Sequence, residues 1–92
     1  MKLSDYVIDY FVKNNIGHVF VISGGAVIHL ADSADRNEKM EIIGTQHEQA
    51  AGAAADMYSR ITGNIGLCMT TSGPGATNLV TSVCNAFFDS IP

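Results

Sequence analysis

"MEIIGTQHEQAAGAAADMYSRITGNIGLCMTT", residues 40–71, decides the fold. "MEIIGT" (40–45) and "IGLCMTT" (65–71) are short apolar runs of the kind that form buried strands. Residues 46–62 between them are dominated by alanine and other helix formers and end near Gly63, so they read as a helix. A strand, a helix and a second strand with short joints make a parallel pair with the helix on one face.

The same rhythm extends outward. "HVFVI" (18–22) is short and β-branched, a further buried strand, and "AVIHLADSA" (26–34) has helical periodicity. "DRNEK" (35–39) is a solvated loop. Residues 4–14 form a first helix that Ser4 can cap. Its apolar positions are Leu3, Val7, Ile8, Phe11 and Val12, and Asn14, Asn15 and Gly17 stop it. Beyond "SGPG", residues 76–89 form a last helix with Leu79, Val80, Val83, Cys84, Phe87 and Phe88 on one stripe. A helix followed by three strand–helix units predicts a three-layer α/β/α fold on a parallel sheet. The 92 residues allow one small domain at most. "FFDSIP" leads toward another strand, and three strands bury little surface, so the expectation is a domain truncated after Pro92.

Composition removes several function classes. The chain is 47% hydrophobic and 15% charged, which is globular. Net charge is −4, and Lys2, Lys13, Arg36, Lys39 and Arg60 form no cluster, which argues against nucleic acid as a partner. No apolar run approaches the ~20 residues of a membrane span. "MKLSDYVIDYF" places acids within its apolar pattern and does not read as a secretory signal, so the expected compartment is the cytoplasm. Cys68 and Cys84 fit no redox or zinc spacing and read as small buried hydrophobes. His18, His29 and His47 share no ligand spacing, and no metal set is predicted.

In a parallel sheet all strand-to-helix corners share the carboxyl edge, where open α/β sheets bind ligands. The corners here are Ser23-Gly24-Gly25, Thr45 to Glu48, and Thr71-Ser72-Gly73-Pro74-Gly75. Two are glycine-rich and admit close backbone approach. The third holds Glu48, with His47 beside it. Each also has a plain structural reading. Thr45 and Glu48 match a capping box, and Ser72 can cap the last helix ahead of Pro74. The run Ala50, Ala51, Gly52, Ala53, Ala54, Ala55 is thin all round, which predicts close neighbours on more than one side, a second subunit among them. "SGPGATN" departs from a dinucleotide fingerprint at Asn78, where the third glycine or alanine belongs, and follows the third strand rather than the first. The P-loop lysine is missing, and Thr70 breaks a nucleophile elbow at Ser72.

"HEQAAGAAADMYSR", followed by "TG", and "TSGPGATNL", with "DSIP" behind them, resemble the pyrimidine-binding domain of thiamine-diphosphate-dependent enzymes, most closely the acetolactate synthase branch. The resemblance covers most of residues 16–92. It implies that Glu48 hydrogen-bonds the pyrimidine N1′ and favours the imino tautomer of the 4′-amino group, which takes the thiazolium C2 proton. It implies that Gly24 and Gly25 bring backbone against the pyrimidine, and that Thr71, Pro74 and Asn78 line its pocket and hold the loop. It further implies a 2-keto acid substrate such as pyruvate, a homodimer or homotetramer formed through the Ala-rich helix, and Mg2+ with the diphosphate on a separate downstream domain. Some relatives also bind FAD, which nothing here indicates. The acetolactate branch has an aromatic residue and proline before the paired glycines. This chain has Ile22 and Ser23, which leaves room for a related decarboxylase, lyase or sugar-pathway carboligase. Burial would raise the pKa of Glu48 and the helix N-terminus would lower it, a balance the sequence leaves open. Two other classes fit the residues without the resemblance: a non-catalytic binding or assembly module, and a nucleotide-binding α/β domain.

Overall fold

The computed structural model describes residues 1–92. Its elements are α1 (Leu3–Lys13), β1 (His18–Val21), α2 (Ile28–Arg36), β2 (Glu41–Gly44), α3 (Glu48–Thr62), β3 (Cys68–Met69) and α4 (Pro74–Phe88), with a 3-10 turn at Gly25–Val27 leading into α2. The strands form one parallel sheet in the order β2-β1-β3. β1 is first in the chain and central in the sheet. Its four residues register with β2 from His18↔Glu41 to Val21↔Gly44, and Phe20 and Val21 register with Cys68 and Met69.

Alternation along β1 assigns the layers. Val19 and Val21 are buried on one face with Ile8 of α1, Ala34 of α2, Met40 and Met69. His18 and Phe20 project to the other face, where both rings lie against Tyr58 of α3 at centroid distances of 5.3 and 6.1 Å. The sheet is thus sandwiched between an α1–α2 layer and an α3–α4 layer, the predicted α/β/α architecture. His18 is a structural tie at the amino edge, its Nδ1 3.2 Å from the Tyr58 hydroxyl and its Nε2 3.2 Å from Glu41.

The α1–α2 layer is fastened by Asp5. One carboxylate oxygen lies 2.6 Å from the hydroxyl of buried Ser33 and 2.8 Å from the Arg36 guanidinium. Those two partners hold its carboxyl down at about 2. On the other face α3 buries Ala51, Gly52, Ala55 and Ser59, one stripe at helical spacing. A Cβ on Gly52 would stand 2.4 Å from the Ser82 Cβ and 2.6 Å from a Leu79 methyl, so α3 and α4 touch almost backbone to backbone there. Ser82 seals the contact by donating to the Gln49 carbonyl at 2.9 Å, and Arg60 clamps the far end between Asp56 (2.8 Å) and Asp89 (2.6 Å).

Several expectations are corrected. β3 is two residues long rather than 65–71, and it registers with β1 only at Cys68 and Met69. α2 runs on through Arg36 into the predicted loop, drawn by the Arg36 bonds to Asp5 and Asp32. Ser4 lies inside α1, not at its cap. Lys2 precedes the helix, and its backbone N–H donates to Asp5 at 3.3 Å. Leu3 is exposed. The α4 stripe is largely uncovered, with Phe87 77% and Phe88 80% exposed, because α4 lies on α3 with only a two-residue strand beside it. Cys84 is exposed on that helix, and Cys68 is half-buried, its thiol pKa pushed up by burial. The thin α3 is covered by the sheet and α4 on one side only, Ala50 and Ala53 remaining open. No helix is long and apolar enough to cross a membrane.

Two outcomes follow. Because the folded Asp5 carboxyl titrates at about 2 and the unfolded one near 3.9, its stabilisation is complete above about pH 4 and fades as pH falls toward 2. Urea unfolding across that window will show a smaller loss of stability in Asp5→Asn than in the parent, and identical losses would refute the assignment. Gly52→Ala gains about 1 kcal/mol of helix propensity, but overpacking against Ser82 costs about 1–3 kcal/mol, and the space here is short enough to set the cost at the upper end. The urea midpoint will therefore fall.

Candidate functional site

All three corners meet at the carboxyl edge because the three strands are parallel. β1 and β3 are neighbours, yet α2 leaves β1 toward one face while α4 follows β3 toward the other. Adjacent strands whose connections diverge open a crevice between their carboxyl ends.

The Thr45–Glu48 corner does not form the predicted capping box. The N-cap of α3 is His47, with extended backbone, and its Nδ1 accepts the Gln49 N–H at 3.0 Å. An accepting Nδ1 leaves the proton of the neutral ring on Nε2. Thr45 donates its hydroxyl to the His47 carbonyl at 3.1 Å. With the cap two residues later than expected, Glu48 is the first residue of the helix and does not reach back to Thr45. It turns to α4 instead, where its Oε1 accepts the Asn78 Nδ2–H at 3.0 Å. That bond, with help from the Glu48 backbone N–H and against partial desolvation, holds the carboxyl below its ordinary value. Glu48 is half-buried. Burial is outweighed, and chiefly by the Asn78 amide, which was not one of the two opposed influences expected from the sequence.

Thr71 joins the other two corners. Its hydroxyl accepts the Ala26 N–H at 3.1 Å. Its side chain occupies the space that a Cβ on either Gly24 or Gly75 would need: the Thr71 Cβ is 2.5 Å from the first position, and the Thr71 methyl 2.7 Å from the second. Glu48 Oε2 lies 3.8 Å from that same Gly75 position. Gly24, Thr71 and Gly75 thus pack in line, and the Asn78–Glu48 pair stands beside the Gly75 end. Gly25, Gly73 and Pro74 sit on the exposed rim. Nothing stands within 4 Å of where a Cβ at Gly25 or Gly73 would be, and Gly73 takes φ 70°, a left-handed conformation. Gly73, not Ser72, is the N-cap of α4, with Pro74 at its first position. No group of three His, Cys, Asp or Glu side chains converges to hold a metal ion.

The family model for the thiamine pyrophosphate enzyme N-terminal TPP binding domain matches residues 1–92. The chain belongs to the thiamine pyrophosphate enzyme family. Thiamine pyrophosphate is thiamine diphosphate under its other name. Among its relatives, the acetolactate synthase large subunit of Cyanidium caldarium is 44% identical over 89 residues, covering 94% of this chain and 15% of the relative. The mitochondrial acetolactate synthase of Schizosaccharomyces pombe is 45% identical over 84 residues, 91% of this chain and 13% of the relative. The acetolactate synthase of Mycobacterium bovis is 50% identical over 74 residues, 80% of this chain and 12% of the relative. The chain thus spans less than a sixth of the length of these relatives.

At these corners the Asn78–Glu48 bond, the His47 cap and the Thr71 plug escaped the sequence. His47 as N-cap gave no signal beyond its position, since serine, threonine, aspartate and asparagine lead at that site. Thr71 as the plug between two glycine turns could have been suspected only from its place at a strand end facing both glycine corners.

The Thr71 hydroxyl supplies a test. Thr71→Val keeps the shape and removes the acceptor of the Ala26 N–H. The expected cost is about 0.5–1.5 kcal/mol in urea unfolding, with faster hydrogen exchange at Ala26 than in the parent.

Proposed function

We propose that this chain supplies the pyrimidine-side half of a thiamine-diphosphate site in a carboligase or decarboxylase acting on 2-keto acids such as pyruvate, of the acetolactate synthase kind. The observation that carries the reading is Glu48 at the carboxyl edge, with one oxygen held by Asn78 and no other side chain on Oε2, beside a glycine loop. The residues fit the group. Gly25 and Gly73 leave bare backbone that a flat heteroaromatic ring can approach, and a carboxylate with an unshared oxygen suits a protonatable ring nitrogen.

Thiamine diphosphate, when bound, supplies the electron sink for breaking the bond next to the keto group. The chain's own part is placement and proton control. Glu48 holds a hydrogen bond, and at need a proton, at the pyrimidine N1′. Gly25, Gly73 and Pro74 shape the rim, and Thr71, packed against Gly24 and Gly75, sets the spacing between the two glycine turns. In the free chain Glu48 is biased to the ionised form, and water exclusion on ligand binding raises its proton affinity toward the value a proton exchange near neutral pH needs. The diphosphate and Mg2+ are assigned to a separate domain. The exposed apolar stripe of α4 and the open small residues of α3 support assembly into a dimer or tetramer through that layer.

Glu48→Gln keeps the shape of the side chain and removes its ability to ionise. In the protein expressed from its native reading frame, with thiamine diphosphate and Mg2+ saturating, carbon dioxide release from pyruvate should fall by about 10²–10⁴-fold. A rate near that of the parent would overturn the proposal.

A further inference from the structure

We propose that Asn78 is a positioning residue for Glu48: its amide holds Oε1 as an acceptor and so leaves Oε2 as the favoured oxygen for a proton. The importance of that preference rests on the function proposed above. The preference itself rests on geometry.

Asn78 lies in the second turn of α4 and Glu48 at the first position of α3, thirty residues apart in sequence. The Nδ2–Oε1 distance is 3.0 Å. An amide nitrogen only donates, and turning the amide over would set two acceptor oxygens face to face, so the donor orientation is the one an ionised acid permits. An oxygen that already accepts that N–H is the poorer place for a proton, and a proton arriving on the acid goes to Oε2. Oε2 is the oxygen near the Gly73–Gly75 loop, 3.8 Å from where a Gly75 Cβ would be. The side chain does not serve as the cap of α3, because His47 does, and the Glu48 backbone N–H is its only other donor. Since the bond crosses from α3 to α4, the docking of α4 through Gly52 and Ser82 also fixes the carboxylate's direction. His47 is the one titratable neighbour acting on Glu48, and the first turn of α4 has neither acid nor base.

The assignment predicts what happens when the amide is changed. Carboxyl carbon-13 titration of Glu48, in the protein without thiamine diphosphate, should give a midpoint below the ordinary carboxylate range for the parent. Asn78→Leu removes the donor and should move the midpoint up. Asn78→Asp is nearly isosteric and places a second carboxylate at the same distance, so the midpoint should move up further. Asn78→Gln retains a donor and should recover part of the loss. In the loaded protein, the acid limb of the kcat–pH profile should move in the same direction. Unmoved midpoints in folded Asn78→Leu and Asn78→Asp would overturn the proposal, and Asn78→Asp alone decides it if the leucine variant does not fold. The two readings fail separately. An active Glu48→Gln enzyme with shifted Asn78 titrations would sink the function and leave the pair standing, whereas an inactive one with unmoved titrations would sink the pair alone.

Discussion

β1 is hydrogen-bonded in parallel to β2 on one side and β3 on the other, and this double pairing brings three corners that are remote in sequence to one edge. Parallel pairing requires each return to cross a face of the sheet, so α2 and α3 are consequences of the ladder as much as partners of it. The divergence of α2 and α4 from neighbouring strands then opens the crevice. Glu48 shares an edge with the two glycine turns because β1 stands in the middle.

The α3–α4 layer shows how little side-chain volume this arrangement tolerates. Where α3 meets α4, Gly52 faces Ser82 and Leu79, and there is no room for one more methyl group. The same economy recurs at the edge, where Thr71 fills the gaps left by two glycines. Close packing at these points does more than hold the fold. It sets the direction of the Glu48 carboxylate through Asn78 and the path of the Gly24–Ala26 turn through the Thr71 hydroxyl.

The alternation of strands and helices was legible in the sequence because β-branched runs and an alanine-rich helix differ in period and propensity. Gly63, the left-handed end of α3, was legible for the same local reason. The three corners followed once the sheet was read as parallel. The cap of α3 was not legible: Thr45 outranks His47 as a cap by residue type, and only the path of the chain after Gly44 decides between them. The length of β3 and the exposure of Phe87 and Phe88 depend on what lies beside them, which periodicity does not record. The Asn78–Glu48 bond joins two helices and leaves no spacing signature. Membership of the thiamine pyrophosphate enzyme family rested on motif order, and the family match over residues 1–92 establishes it.

The shortest ladder in the sheet has a thermodynamic consequence. β3 registers with β1 through two residue pairs, whereas β2 does so through four, and the Thr71–Gly75 turn hangs directly from β3. Lifting β3 would dismantle the rim and withdraw Met69 from the core around Ile8 and Val19, so the rim and the core are coupled through that one side chain. A ligand that grips both glycine turns acts as a suture across that seam, and its binding free energy is spent first on keeping the sheet's weakest junction shut.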